Sequence, residues 1–342
     1  MRIAQVAPLY ESVPPKLYGG TERIVSYLTE ELVRRGHDVT LFASGDSVTR
    51  ARLVSVYPRA LRLDPTIVDQ YVCLMAQVGL VYKRADEFDL IHSHVDYFTF
   101  PSMQFVRTPT LTTLHGRLDV PELQVIYRMY PDVNLVSISD SQRSPMPNAP
   151  WLSTVYNGVP LEDFPFQPRP GDYLAFLGRI SPEKRTEVAI KVARKAGIKL
   201  KIAAKVDRVD RDYFEHLIKP MLKDPLVEYL GEIDQRAKGA FLGNALALIF
   251  PIDWPEPFGL AMAEAMACGT PVIATRRGSV PEIVQHGKTG FICDSIDEMV
   301  AACHEVHRLD RRACRQEVES RFSVQVMVDN YEAVYRRLVG GA

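Results

Sequence analysis

Short apolar runs alternate with segments of helical periodicity along most of the chain. In the first half, apolar runs predict strands at residues 3–8, 39–43, 53–57, 90–92, 110–114 and 135–137. Between the first two runs, Ile24, Leu28 and Leu32 recur every four positions, and Gly36 stands where a helix would end. The alternation resumes with strands predicted at residues 173–177, 200–204, 227–230, 247–250 and 271–274. Such a pattern predicts α/β domains of Rossmann type, with parallel sheets covered by helices.

A change in composition separates the two halves. Seven prolines crowd residues 144–170, and this density predicts a linker. The length of 342 residues also suits two domains better than one. We therefore predict an amino-terminal domain over residues 1–160 and a second domain over residues 161–321. A last helix near residues 324–338 is expected to carry the segment 322–342 back onto the first domain.

The balance of charge argues against a nucleic-acid-binding protein. The 41 Lys and Arg residues nearly balance the 42 Asp and Glu residues, whereas nucleic-acid binding needs a concentrated positive field. A local group of four arginines could contact an anionic membrane or an acidic acceptor, although an ordinary solvated surface is the simpler interpretation. Its members are Arg50, Arg52, Arg59 and Arg62.

The remaining bulk features favour a cytoplasmic protein. Five widely spaced cysteines without a CxxC pair predict neither a disulfide framework nor a zinc site. The first residues lack the pattern of a signal peptide, and no apolar stretch reaches the roughly 18 residues of a membrane-spanning helix.

Residues 253–274, DWPEPFGLAMAEAMACGTPVIA, carry two glutamates at a spacing that suits one ligand. Glu256 lies between two prolines, which predicts a loop, and a helix is expected from residue 258 to residue 268. Free N–H groups at the start of that helix would form an anion or hydroxyl site, which Glu256 could approach. Those groups belong to Phe258, Gly259 and Leu260. Glu264, two turns into the helix, could reach a more distant part of the ligand. On spacing alone, a surface glutamate and half of a helix ion pair are the better explanation.

The whole segment closely resembles the Glu-x7-Glu signature of the family 4 retaining glycosyltransferases. The resemblance covers essentially the full chain, and it implies a GT-B fold. In that fold two Rossmann-like domains have parallel sheets facing across an interdomain cleft, which holds the active site. The resemblance also implies that Glu256 binds hydroxyls of the donor sugar and that Glu264 binds the ribose of the nucleotide. The opening, MRIAQVAPLYESVPPKLYGGTER, is similar to that of antibiotic-pathway enzymes of the avilamycin type.

A second motif, FLGRISPEKR at residues 176–185, places two cations beside a strand–helix junction. Arg179 and Lys184 flank a helix start expected at residues 181–182, where they suit a diphosphate. A solvated basic turn is the alternative. The family resemblance implies that these two residues hold the donor diphosphate in place of a metal ion. Many relatives have glycine after the lysine, where this chain has Arg185.

The first half contributes candidates at strand ends. Gly19 and Gly20 lie between the first strand and the first helix, where backbone N–H groups could approach a phosphate, although any tight turn can carry two glycines. His115, in TTLHG, ends a strand at the sheet edge where ligands bind, and the resemblance places it beside the transferred sugar. Asp96 and Tyr97 are weaker candidates for an acceptor pocket.

Smaller signals occur in the second half. Lys205 follows a strand and could assist with phosphates, although a surface lysine explains it almost as well. The resemblance implies that backbone groups near Glu232 and Ile233 recognise the nucleotide base. Asp210 and Asp212 match the DxD motif of metal-dependent transferases, but their position at a helix start favours capping. We therefore predict no metal site.

The resemblance implies a retaining glycosyltransferase with no cofactor besides its co-substrate. The donor is expected to be a nucleoside-diphosphate sugar, UDP-linked, and the acceptor a hydroxyl in oligosaccharide, glycolipid or natural-product biosynthesis. A nucleotide-sugar epimerase or hydrolase on the same scaffold is the first alternative, and a non-catalytic sugar-binding subunit is another. A dinucleotide-dependent oxidoreductase is disfavoured because no GxGxxG follows an early strand.

Overall fold

Residues 1–340 are described by the computed structural model, in which the chain divides into two units. Unit 1 comprises Met1–Gly158 together with the segment that begins at Val324, and unit 2 comprises Val159–Ser323. Each division lies two residues from the boundary expected from the sequence.

Unit 1 contains a parallel sheet of seven strands in the order β3-β2-β1-β4-β5-β6-β7. The strands are β1 (Arg2–Val6), β2 (Asp38–Phe42), β3 (Arg52–Val54), β4 (Leu90–Ser93), β5 (Thr110–Thr113), β6 (Asn134–Ser137) and β7 (Trp151–Thr154). The proline-rich residues 144–170 are not a linker throughout, because β7 lies among them. Pro150 immediately precedes this edge strand, where a missing N–H leaves the ladder intact.

The first helices of unit 1 are α1 (Gly20–Arg34), α2 (Gln70–Lys83), α3 (Phe100–Met103), α4 (Leu123–Met129) and α5 (Asp140–Arg143). The apolar stripe of α1 is buried as its periodicity predicts, and Gly36 follows the helix with a φ of 86°. The four arginines near β3 each contact a carboxylate: Arg50 pairs with Glu30, Arg52 with Glu87, Arg59 with Asp64 and Arg62 with Glu11.

Unit 2 contains a parallel sheet of six strands in the order β10-β9-β8-β11-β12-β13. The strands are β8 (Tyr173–Arg179), β9 (Lys199–Lys205), β10 (Val227–Gly231), β11 (Ala247–Phe250), β12 (Val272–Thr275) and β13 (Gly290–Cys293). Because β9 and β11 flank β8 on opposite sides, the strand order reverses between β8 and β11. Ligands of open α/β sheets bind at such a switch point, beyond the carboxyl ends of the strands.

The helices of unit 2 are α6 (Thr186–Ala196), α7 (Arg211–Tyr213), α8 (Lys219–Met221), α9 (Gln235–Gly243), α10 (Leu260–Ala267), α11 (Val280–Ile283), α12 (Ile296–Glu305) and α13 (Arg311–Arg321). A π-helical turn, Phe214–Ile218, joins α7 to α8. Side chains of α6 and α12 pack with those of the central strands in one buried core. Helix α10 packs against both α9 and α13.

Two helices begin later than the sequence predicts. Residues 181–182 open a short 3-10 turn, Pro182–Lys184, and α6 starts only after Arg185, whose φ is 51°. Gly259, with a φ of 78°, similarly delays α10 until Leu260. In both places a left-handed residue turns the chain before the helix begins, so Phe258 and Gly259 precede α10.

The last helix is α14 (Val324–Gly340), and it belongs to unit 1. It packs against α1 and β4, and its Tyr331 and Tyr335 are fully buried. No helix within residues 1–340 combines the length and the apolar character that crossing a membrane would require.

Candidate active site

The loops after β8 and β11 meet at the switch point of unit 2. Arg179 ends β8 and lies in register with Lys205, which ends β9. The loop after β8 carries Lys184, and the loop after β11 carries Glu256. A backbone hydrogen bond joins the two loops, because the Asp253 N–H donates to the Glu183 carbonyl oxygen at 2.9 Å. The strand order thus assembles residues from separate motifs at one edge of the sheet.

Lys184 and Glu256 form a direct ion pair across this edge, although they are 72 residues apart in the chain. The Lys184 ammonium also lies 4.7 Å from the centroid of the Trp254 ring, within range of a cation–π interaction. Trp254 Nε1 donates to the Glu256 carboxylate at 2.9 Å. Sequence reasoning missed Trp254, although it lies in the same motif as Glu256. Both charged side chains are mostly buried, so their positions are fixed by these contacts.

The turn after β12 holds the backbone of Glu256. The Ser279 N–H donates to the Glu256 carbonyl oxygen at 2.9 Å. Gly278 has a φ of 53°, and a Cβ at this position would lie 2.3 Å from the Glu256 nitrogen and 2.4 Å from its oxygen. Only glycine allows this approach, so the loop after β12 fixes the loop that carries Glu256.

Arg179 lies among three carboxylates. It donates to Glu183 and lies 3.5 Å from an oxygen of Asp207 and 3.5 Å from an oxygen of Asp210. Lys205 contacts Asp207 at 3.0 Å. Burial raises the pKa of Asp210, with a further rise from the charges of Glu183 and Asp207 that Arg179 opposes.

This arrangement corrects the interpretation of the DxD sequence. Asp210 makes no capping hydrogen bond with its side chain, so the expected capping role is wrong for this residue. Its carboxylate lies beside Arg179 instead, because a buried carboxylate is stabilised by a neighbouring cation. Asp212 lies in the first turn of α7. Within residues 1–340 no group of three or more His, Cys, Asp or Glu side chains is arranged to hold a metal ion.

Glu264 lies on α10, and its carboxylate is almost completely buried. Lys238 of α9 donates to it at 2.9 Å. No motif points to Lys238, since the pair spans 26 residues and depends on the packing of two helices. The aromatic ring of Phe258 packs in the core of unit 2 against Phe322, and the carbonyl oxygen of Phe258 accepts a hydrogen bond from Ser279 Oγ at 2.9 Å.

Glu232 and Ile233 follow β10 directly. Gly231, the last residue of that strand, has a φ of 72°, which turns the chain at the carboxyl edge of the sheet. The sequence-predicted residues of the second half therefore lie at the carboxyl ends of strands or on the loops and helices that follow them.

The candidates of unit 1 also follow strand ends. Gly19 has a φ of 154°, and a Cβ there would lie 2.8 Å from Cβ of Pro15, so the turn before α1 requires glycine. Gly20 is the first residue of α1. His115 follows β5, and its Nε2 lies 2.9 Å from Nδ1 of His94. Burial lowers the pKa of His115 to about 4, so its imidazole is neutral at physiological pH.

Asp96 and Tyr97 lie just after β4. Asp96 has a φ of 48°, an uncommon value for a residue with a side chain, and burial raises its pKa to about 6. The ring of Tyr97 stacks on that of Phe98 with centroids 4.8 Å apart. Their role in an acceptor pocket stays a prediction.

Two family models match adjoining parts of the chain. The model for glycosyltransferase family 4 matches residues 18–163, and the model for group 1 glycosyl transferases matches residues 163–314. Together they span residues 18–314, which is most of the sequence.

Curated relatives of similar length include two bacterial enzymes. The N-acetyl-alpha-D-glucosaminyl L-malate synthase of Bacillus anthracis is 27% identical, with 93% of each chain covered. The glycogen synthase of Mycobacterium tuberculosis is 26% identical, with 98% of this chain and 94% of the relative covered.

Solved structures of the same fold cover the whole chain. AviGT4, a glycosyltransferase involved in avilamycin A biosynthesis, has a TM-score of 0.73 at 22% identity and covers 100% of this chain and 98% of its own. Anabaena Alr3699/HepE, solved in complex with UDP and glucose, has a TM-score of 0.77 at 18% identity and covers 99% and 100%. At these identities the likeness shows the fold, a GT-B arrangement of two Rossmann-like domains.

Proposed function

This chain belongs to glycosyltransferase family 4, and we propose from that premise that it transfers a sugar from a UDP-sugar to an acceptor hydroxyl with retention of configuration and without a metal ion. The observation that carries the proposal is the contact between Lys184 and Glu256 at the switch point of unit 2. The family motifs assign one of these residues to the diphosphate and the other to the sugar. Their contact brings the two roles to adjacent points of one sheet edge.

UDP is the nucleotide supported by the comparisons. HepE, which shares the fold, has been solved in complex with UDP and with UDP-glucose. In this chain Glu264 would bind the ribose hydroxyls, and the backbone near Glu232 and Ile233 would contact the base. A carboxylate accepts hydrogen bonds from two adjacent hydroxyls, which suits the ribose of any nucleotide donor.

The proposed reaction exchanges one bond at the anomeric carbon. The bond from that carbon to the diphosphate oxygen breaks, and the bond to the acceptor oxygen forms on the same face of the sugar. The acceptor proton passes to the departing phosphate oxygen, so the products are the glycoside and protonated UDP. Arg179 and Lys184 offset the charge that develops on the diphosphate, with Lys205 beside them. His115 and Glu256 orient the sugar.

At this site the Glu256 carboxylate would compete with the donor diphosphate for Lys184. Lys184 contacts Glu256, so a diphosphate that binds Lys184 would replace that carboxylate. The displaced carboxylate would then be available to a hydroxyl of the sugar. Donor binding would thereby place Glu256 in its proposed role.

The acceptor class is proposed as a hydroxyl compound of oligosaccharide, glycolipid or natural-product biosynthesis, including antibiotic pathways of the kind that AviGT4 serves. The relatives differ in the acceptors that their names give, among them malate, D-inositol 3-phosphate and glycogen. An acceptor screen should therefore span small polyols, sugar phosphates and oligosaccharides.

The test incubates the full chain with UDP-sugars and this acceptor panel in EDTA, and determines the anomeric configuration of the product by proton NMR. We expect product of unchanged anomeric configuration at the same rate with and without EDTA. Activity lost in EDTA and restored by Mn²⁺, or an inverted product, would contradict the proposal. A donor-only incubation identifies an epimerase or hydrolase, which would convert UDP-sugar without acceptor.

Lys184→Ala should lower kcat/KM by roughly 30- to 1000-fold. This factor corresponds to a loss of about 2–4 kcal/mol of transition-state stabilisation, as expected when one preorganised hydrogen-bond donor is removed. Lys191→Ala is the matched control, because Lys191 is an exposed lysine on α6 of the same unit. Equal rates for the two variants would remove Lys184 from the site.

A further inference from the structure

A continuous chain of hydrogen bonds crosses unit 1 beneath the proposed sugar-binding histidine. It begins at Tyr331 of α14, whose hydroxyl lies 3.0 Å from Thr113 Oγ1, and Thr113 lies 2.8 Å from His92 Nε2. His92 Nδ1 lies 2.7 Å from the hydroxyl of Tyr335, again on α14. This part of the hydrogen-bond chain therefore links the last helix to two adjacent central strands, β4 and β5.

The second half of this hydrogen-bond chain runs from α14 to His115. Gln5 Nε2 donates to the Tyr335 hydroxyl at 3.3 Å. The other end of the same amide, Gln5 Oε1, lies 2.9 Å from His94 Nε2. His94 Nδ1 in turn lies 2.9 Å from His115 Nε2. Gln5 and His92 are fully buried and His94 nearly so, so this path lies in the core of unit 1.

The chemistry of the Gln5 amide determines which atom donates in each hydrogen bond between Gln5 and His115. An amide oxygen can only accept, so His94 Nε2 must carry the hydrogen of that bond. A neutral His94 then has a lone pair on Nδ1, and His115 Nε2 must be the donor to it. Burial lowers the pKa of both rings, of His94 with help from its histidine neighbours, so both are neutral. His115 is left with its lone pair on Nδ1, to which no side chain or backbone group of residues 1–340 donates.

We propose that Gln5 and His94 are positioning residues that hold His115 as the neutral Nε2–H tautomer, with Nδ1 free to accept a hydrogen bond from a hydroxyl of the donor sugar. Tyr335 supports them by orienting the Gln5 amide from α14. This inference rests on the proposed function of His115. It adds that the protein uses the ring as an acceptor and that the buried glutamine determines this.

The first test reads the tautomer directly, without any assay of transfer. Protein labelled with ¹⁵N in histidine is examined by long-range ¹H–¹⁵N correlation NMR, with His115 assigned by its loss in His115→Ala. The expected spectrum shows Nε2 protonated and Nδ1 unprotonated. In Gln5→Met, which keeps the length of the side chain but cannot accept, His94 and His115 should populate both tautomers. A wild-type spectrum with Nδ1 protonated would overturn the proposal.

The second test is kinetic. Gln5→Met should lower kcat by about 10- to 100-fold, by analogy with the loss of residues that orient metal-binding histidines. The affinity for UDP should be unchanged, because Gln5 lies outside unit 2, which carries the residues proposed to bind the ribose and the base. Gln77→Met is the matched control: Gln77 is an equally buried glutamine of unit 1, bonded to the carbonyl oxygen of Ala7 outside the chain. Equal kcat values for the two glutamine variants would contradict the positioning role.

Gln5→Glu supplies a test that a merely structural role cannot imitate. Its carboxylate still accepts from His94, but its charge favours a second proton on that ring. This proton would occupy Nδ1 and donate to His115 Nε2, which reverses the tautomer of His115. In Gln5→Glu, kcat should be near the wild-type value at alkaline pH. It should decline as the pH falls through the pKa of His94, which the new carboxylate raises relative to the wild type. The wild-type kcat should show no such decline. A wild-type pH profile in Gln5→Glu would overturn the proposal.

Few titratable side chains lie beside this hydrogen-bond chain. Besides His94 and His115, they are His92, Tyr331 and Tyr335, with Glu332 near Tyr335. If His115→Ala leaves kcat unchanged while NMR finds the expected tautomer, the proposed role of His115 fails and the tautomer assignment stands. If His115→Ala lowers kcat but Gln5→Met changes neither spectrum nor rate, the positioning role alone fails.

Discussion

Two glutamates on one loop–helix segment are held by different cations. Glu256 contacts Lys184 of the loop after β8, whereas Glu264 contacts Lys238 of α9. Glu264 is the more deeply buried of the two side chains. A buried carboxylate that keeps its cation can still accept hydroxyl hydrogen bonds, because each carboxylate has about four acceptor positions. The contacts therefore suit a fixed nucleotide ligand at Glu264 and an exchangeable partner at Glu256.

This difference predicts opposite effects on nucleotide binding. Glu264→Gln should weaken UDP binding by about 10- to 100-fold, because hydrogen bonds to a charged group contribute about 1.5–3 kcal/mol. Glu256→Gln should bind UDP at least as tightly as wild type, since Lys184 loses its competing carboxylate, while kcat falls. Titration calorimetry with UDP and steady-state kinetics measure both quantities.

Glu215→Gln serves as the control for that comparison, because Glu215 forms an exposed ion pair with Lys219 on the surface of unit 2. It should change neither UDP affinity nor kcat. Weaker UDP binding in Glu256→Gln together with normal binding in Glu264→Gln would reverse the assignment of the two residues.

At the scale of elements, left-handed residues decide where the loops of the site end. Arg185 adopts a φ of 51° between the 3-10 turn that carries Lys184 and α6. Glycine adopts this conformation without the steric cost of a Cβ, which is about 1 kcal/mol. The Arg185 side chain lies near the carboxylates of Glu187 and Asp253. These contacts give the arginine a role that glycine could not fill.

Gly278→Ala should impair catalysis through the loop after β11. An added Cβ would meet the backbone nitrogen and oxygen of Glu256, so that loop must shift. We expect kcat to fall at least tenfold, because displacements near 1 Å can cost about 100-fold in rate. Gly287→Ala is the control: its φ of 76° gives a similar backbone strain, but nothing lies within 4 Å of the new Cβ.

Both alanine variants should lose about 1 kcal/mol of stability from strain at positive φ, and Gly278→Ala should lose more because its Cβ also meets the backbone of Glu256; urea denaturation measures both losses. Only Gly278→Ala should also lose catalytic activity. If the two variants have the same kcat, the turn after β12 does not position Glu256.

The sequence pattern predicts the elements better than their contacts. Buried strands of parallel sheets are rich in apolar residues, so β8 and β11 are recognisable from composition. The edge strands β7 and β13 are missed, because four residues beside prolines or glycines carry little pattern. Motif residues such as Glu256 are found from the sequence.

The partners of those residues are not predictable in the same way. The contacts from Lys238 to Glu264 and from Asp210 to Arg179 join separate elements. They depend on strand order and helix packing, which local patterns do not determine. The hydrogen-bond chain from Gln5 to His115 is hidden for the same reason, because its members lie on three strands and the last helix.

At the scale of the whole molecule, the two units differ in how the chain forms them. Unit 2 is one continuous segment, Val159–Ser323, whereas unit 1 needs both ends of the chain. The segment that completes unit 1 is α14, which buries Tyr331 and Tyr335 against the central strands and closes the hydrogen-bond chain to His92. Removing a buried aromatic side chain typically costs about 3–5 kcal/mol, a large part of the stability of a domain.

A chain that stops after Ser323 should therefore lose unit 1 and keep unit 2. In differential scanning calorimetry, the transition of unit 1 should disappear or move below room temperature. The remaining transition should still rise with UDP, since ligand at 100 times its dissociation constant adds about 2.7 kcal/mol to the domain that binds it. Arg337→Ala in the full chain is the control, because this residue lies on the exposed face of α14 and its loss should leave both transitions in place. If the truncated chain keeps a transition for each unit, α14 is dispensable to unit 1. If it keeps one transition that UDP no longer shifts, the nucleotide site requires more than unit 2.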